Sequence, residues 1–164
     1  MNFELLARCP EHADTIAGWL CGEWGDSTPQ SRNQLAEALR SRMSIDSLPM
    51  HLVALDRGEA VGFVALKLRE MDSYPDREHW LGSLFVPVAE RGRGIGGALI
   101  EEVIMRSKAH GVTLLSLQTE HLDGGLYRRY GWEDVERTDS RGDHVLVMER
   151  KIDQGTTSRS TTTA

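Results

Sequence analysis

Residues 84–99, LFVPVAERGRGIGGAL, carry the spacing with the most chemical meaning in this chain. Gly92, Gly94, Gly96 and Gly97 crowd the point where an apolar run gives way to a helical pattern. A helix exposes its first unpaired N–H groups at such a point, and its dipole favours an anion there. Glycine lets a charged ligand approach the backbone closely, and Arg91 and Arg93 add positive charge. The segment reads as a cradle for a phosphate or diphosphate. A nucleotide P-loop needs G-x-x-x-x-G-K-[ST]. Gly92 and Gly97 supply its glycines, but Ala98 and Leu99 stand where the lysine and the hydroxyl belong. Gly92, Gly94 and Gly97 also satisfy G-x-G-x-x-G, the dinucleotide spacing. Such a unit usually opens its domain, yet only 67 residues follow Gly97. No acidic residue ends the next strand at the expected distance, because Glu120 comes later. A dinucleotide-binding enzyme is therefore the weaker alternative.

A third spacing fits best. Residues 91–96, RGRGIG, read R-x-x-G-x-G after a strand that ends in Val86-Pro87. This resembles the acyl-CoA-binding motif of the GNAT superfamily of N-acetyltransferases. Residues 126–132, LYRRYGW, resemble the family's later F-Y-x-x-x-G-F segment, and the order of elements over residues 1–152 matches as well. The resemblance implies a strand that splays from its neighbour, with Leu84, Phe85 and Val86 offering backbone groups to the pantetheine arm and thioester. Arg91, Gly92, Arg93, Gly94, Ile95 and Gly96, with Gly97 beside them, then bind the diphosphate of acetyl-CoA. Tyr127 matches the family tyrosine that points at the sulfur. A phenol, with an ordinary pKa near 10, can protonate a departing thiolate, whose thiol titrates near 8.5. A backbone N–H at Phe85 would stabilise the oxyanion. The implied activity is acetyl transfer from acetyl-CoA to a primary amine of a small molecule or peptide. A CoA-binding regulatory module without turnover is the other alternative. Homodimers are common in the family, so a homodimer is an expectation of the resemblance alone.

The acceptor amine must lose a proton before it attacks. Glu78 and His79 begin the strand that enters the cradle and are the first candidates for the base. Glu70, Asp72, Glu120 and His121 are further ones. The acceptor surface is expected from the acidic loops 21–29 and 70–79, with Trp24, Tyr74 and Trp80 as aromatic surface suited to an organic ammonium. Family members often place an asparagine after the preceding strand, but residues 119–123 read TEHLD.

Regular elements must hold these groups. Phe3, Leu5 and Ala7 alternate like a half-buried strand. Pro10 opens a helix carrying Ala13, Ile16, Ala17 and Leu20. Thr28-Pro29 reads as an N-cap and first helical position, with a stripe of Leu35, Ala38, Leu39 and Met43 behind it. Residues 50–55 and 60–68 form a hairpin, residues 69–79 a loop, and residues 80–86 a third strand stopped by Pro87. A helix over about 94–110 ends at Gly111, and residues 112–117 make a buried parallel strand. A short helix over 122–130 and strands over 132–136 and 144–151 finish the domain. The sum is an α/β fold: a mixed, mostly antiparallel sheet of about seven strands with one central parallel pair and helices on both faces.

The 164 residues carry 19 Lys+Arg against 25 Asp+Glu, a formal net charge of −6. That speaks against a nucleic-acid surface and suits a cationic substrate. No apolar run is long enough for a membrane helix, and the first residues lack an export signal. Cys9 and Cys21 have no metal-ligand spacing, so a reduced cytoplasmic protein with no metal is expected. The domain is expected to span 1–152, with a disordered Ser/Thr-rich tail over 153–164.

Overall fold

The computed structural model describes residues 1–42 and 44–154. Met43 of the expected helical stripe and the tail from residue 155 lie outside them. Seven strands form one sheet in the order β1-β2-β3-β4-β5-β7-β6. They are β1 (Asn2–Leu5), β2 (Met50–Asp56), β3 (Glu59–Leu68), β4 (His79–Phe85), β5 (Leu114–Thr119), β6 (Glu133–Ser140) and β7 (Asp143–Lys151). Every neighbouring pair is antiparallel except β4 with β5. Among the described residues three α-helices cover the faces: α1 (Ala13–Trp24), α2 (Pro29–Ser41) and α3 (Ile95–Ala109).

Local chemistry explains the boundaries. Thr28 caps α2 as expected, its hydroxyl accepting the Ser31 N–H at 3.2 Å. Pro10 starts a 3₁₀ turn, Pro10–His12, that leads into α1. Gly111 follows α3 with φ +74°, where a side chain would be strained. The short helix expected over 122–130 is instead a 3₁₀ segment, Gly125–Tyr130, set between Gly124 and Gly131 at φ +83°. The final hairpin turns at Arg141-Gly142, φ +50° and +87°, so β6 runs longer than expected. Gln154 lies inside the expected tail yet donates its side-chain amide to the Val112 carbonyl at 2.5 Å.

Strand alternation divides the core. Leu52, Val64, Leu66, Leu81, Leu115, Leu117, Leu146 and Met148 face α3 through Ile95, Leu99, Ile100 and Val103. Val53, Phe63 and Ala65 face α1 and α2 through Ile16, Ala17, Leu20, Ala36 and Leu39. Gly62 sets the depth of α3, because a Cβ there would stand 2.9 Å from Ile95 Cγ2 and Leu99 Cδ1. The start of α3 is thus seated directly on β3.

Candidate functional site

The site begins where β4 leaves β5. Their register contains one bridge, Trp80 opposite Ser116. In contrast, β5 stays paired with β7 over all six of its residues. The bridge end is pinned by Arg77, which donates to Ser116 Oγ at 3.1 Å and to Glu149 Oε2 at 3.0 Å. Trp80 Nε1 donates to the Arg77 carbonyl at 2.8 Å. Beyond Gly82 the register of β4 with β3 slips by one residue, and Ser83 sits at φ +54°. That is a β-bulge, which bends its strand and re-aims its backbone. Leu84 and Val86 then pack toward α3, while Phe85 packs on the opposite face against Trp19 and Trp24. Side chains anchor both layers, and the strand's backbone edge is left along the parting.

The parting leads to the glycine turn. Pro87 ends pairing, a 3₁₀ turn Val88–Glu90 follows, and Gly92 and Gly94 take φ +79° and +77°. Nothing lies within 4 Å of where a Cβ would stand on either glycine. The first turn of α3 closes with Ala98 N–H donating to the Gly94 carbonyl at 3.1 Å. The N–H groups of Ile95, Gly96 and Gly97 precede that bond, and α3 has no acidic residue in its first turn. Backbone amides and the positive end of the dipole face the same place. The arginines are used differently than their charge implies. Arg93 donates to Asp56 at 2.7 Å and also to Glu90, tying the turn to the β2–β3 hairpin. That bond holds the Asp56 carboxyl below its ordinary range. Arg91 Nε donates to the Val86 carbonyl at 2.9 Å, so that carbonyl, expected to meet the pantetheine arm, already has a donor.

The acetyltransferase (GNAT) domain model matches residues 48–134, which include both the parting and the turn. The chain belongs to the GNAT acetyltransferase family. Solved GNAT structures share the fold at low identity. An aminoglycoside 6'-acetyltransferase type Ii superposes with TM-score 0.71 and 19% identity, covering 93% of this chain and 97% of its own. A phosphinothricin acetyltransferase from Sinorhizobium meliloti, solved with AcCoA, gives 0.70 and 22%, covering 94% and 90%. A ribosomal-protein-alanine N-acetyltransferase from Brucella melitensis gives 0.63 and 21%, covering 92% and 99%. A search of curated proteins found no match.

In this GNAT domain the 3₁₀ segment Gly125–Tyr130 leans on the first turn of α3. A Cβ on Gly96 would stand 3.2 Å from Leu126 Cδ2. One on Gly97 would overlap the Tyr130 hydroxyl and lie 2.5 Å from ring carbon Cζ. Gly97 therefore exists to admit Tyr130, a packing role hidden within the glycine motif. Tyr127 stands in the same segment, edge-on to Trp132 with ring centres 6.0 Å apart. Burial, and after it the charge of Glu70, pushes its phenol up to about 12. Tyr127 therefore keeps its proton at physiological pH.

The expected bases separate in space. Glu78 is exposed and its carbonyl accepts the Arg69 N–H at 2.7 Å. His79 pairs with Leu68 at the start of β4. Both precede the Trp80–Ser116 bridge, at the end of β4 away from the glycine turn. Asp72, Glu120 and His121 are exposed. Trp80 is fully buried, and Tyr74 donates to Glu136, so these two aromatics serve loop packing rather than an acceptor surface. Trp24, 53% exposed, meets Phe85 at the parting. Ser83 carries no residue-type signal for its bulge, and sequence reading missed it.

Proposed function

We propose that this chain is an acetyl-CoA-dependent N-acetyltransferase that acetylates a primary amine of a small molecule or peptide by direct attack. The observation that carries this reading is a parted β4–β5 edge that runs into the open N-terminus of α3. A diphosphate at residues 91–97 and an extended arm along Leu84–Phe85 would lead a thioester back toward Gly82. The structures solved with coenzyme A or AcCoA support a CoA-type substrate by shared fold. An aminoglycoside 6'-N-acetyltransferase and the ribosomal-protein-alanine N-acetyltransferase share the fold, which supports an amine acceptor.

In this mechanism the amine attacks the thioester carbon and an oxyanion forms. A backbone N–H of the bulged strand stabilises that charge. The C–S bond then breaks, and Tyr127 gives its proton to the leaving sulfur. The test is free-thiol release from acetyl-CoA over aminoglycosides, polyamines, amino acids and peptides. At least one amine is expected to turn over. Tyr127→Phe is expected to lower kcat tenfold or more while CoA still raises Tm by the same amount. No turnover with any amine, alongside normal CoA binding, would point to a CoA-binding module. Unchanged kcat in the variant would remove Tyr127 from the chemistry.

A further inference from the structure

We propose that Glu70 receives the acceptor's amino group and takes its proton, an assignment that rests on the acetyltransferase reading above. Arg69, at φ +49°, turns the chain back after β3. The Glu70 side chain then returns over the sheet to Gly82, where a Cβ would stand 3.1 Å from Glu70 Oε1. The same Cβ would lie 2.9 Å from Lys67 Cδ and Cε, so the absence of a side chain at Gly82 makes room for both residues. Lys67 Nζ holds Oε1 at 3.2 Å. The other oxygen, Oε2, is buried and has no hydrogen-bond partner among the described residues.

Three placements give this oxygen its role. Gly82 is the last residue in register with β3 before the bulge, and lies just past the Trp80–Ser116 bridge. The carboxylate therefore stands at the inner end of the parting, where the thioester of a bound CoA would come to rest. Its face of the sheet is that of Phe63, Ala65 and Phe85, opposite α3, the side that Trp24 borders. Its charge is also the one that acts on the buried Tyr127 phenol. A buried carboxylate oxygen lacking a donor is well suited to the N–H groups of an ammonium.

The ammonium loses one proton to solvent, and the free amine attacks while the new C–N bond forms. The nitrogen then bears a second surplus proton, which passes to Glu70 Oε2. The C–S bond breaks, the electron pair stays on sulfur, and Tyr127 protonates the thiolate. Transfer from Glu70 to the tyrosinate through solvent restores both groups.

Glu70→Gln keeps the shape of the side chain and removes the acceptor. With an amine that the parent acetylates, kcat is expected to fall 100-fold or more, while the CoA-induced rise in Tm is unchanged. Glu70→Ala is expected to regain turnover as sodium formate is added, which a merely structural carboxylate would not produce. A Glu70→Gln protein within threefold of the parent overturns the assignment. So does loss of both activity and the CoA response in the two variants with no answer to formate, because Glu70 then serves only the fold. If the parent itself releases no thiol with any amine, the acetyltransferase reading fails first and this assignment falls with it.

Discussion

Tyr127 and His51 show burial acting in opposite senses on two neutral groups. Desolvation disfavours whichever form is charged. It pushes the Tyr127 phenol up to about 12, so the proton stays on. It pulls His51 down to about 4, with Lys67 and Arg42 adding to the fall, so the proton stays off. His51 stacks on Phe63 with ring centres 5.8 Å apart and pairs across β2–β3 with Ala65. An unfolded histidine titrates near 6.5, so between pH 6.5 and about 4 the unfolded chain binds the extra proton. Stability from this residue is complete above pH 6.5 and falls as the solution is acidified. The loss reaches up to about 1.4 kcal/mol per pH unit, or roughly 2 kcal/mol by pH 5. Urea unfolding at pH 7.5 and pH 5 measures it. His51→Phe keeps the stack and is expected to flatten the difference; equal losses in parent and variant would exclude His51 as the source.

At the level of elements, the cradle depends on how the Gly125–Tyr130 segment docks on α3. Gly97 is the contact that decides it. Gly97→Ala forces a Cβ into the Tyr130 ring, and overpacking of this kind costs about 1–3 kcal/mol. The expected result is a lower Tm together with weaker CoA binding, since α3's first turn and the segment holding Tyr127 shift as one. Tyr130→Leu should relieve part of this, so the double variant is expected to be more stable than the sum of the single losses implies. Additive losses would show that Tyr130 does not set the docking. The same region shows what a sequence can disclose. Glycines at φ +79° and +77°, the Thr28 cap and the apolar face of α3 are local features, legible in residue types. The β-bulge at Ser83 is not local, because it arises where β3 and β4 fail to keep register. Nor is the reach of Glu70, which depends on a left-handed Arg69 and a bare Gly82 on the next strand. Glu78 and His79 adjoin the cradle strand in sequence, but strand length carries them to its far end. Arg93 has the right charge for a phosphate, yet Asp56 from a distant hairpin claims it.

Across the whole molecule, the sheet is continuous at β3–β4 and β5–β7 and parted between β4 and β5 beyond one bridge. Two well-packed layers keep the edges apart: α3 with its apolar cluster on one face, and α1 with Trp19 and Phe85 on the other. A ligand that fills the furrow joins the two halves of the sheet, so binding should stabilise the native state as a unit. CoA at 100 times its Kd is expected to add about 2.7 kcal/mol, which is a rise of roughly 5–11 °C in Tm for a domain of this size. The position of that stabilisation separates this account from its rivals. Hydrogen exchange should slow most at residues 83–86 and 92–98, the parted edge and the amides at the start of α3. A second groove lies beside the later turns of α3, lined by Glu101, Met105, Lys108, Arg129 and Arg150. Its cations make it the obvious competitor for a phosphorylated ligand. Protection centred there, with residues 83–98 exchanging as before, would move the CoA site out of the furrow and remove the geometric basis for placing Tyr127 and Glu70 on either side of the thioester.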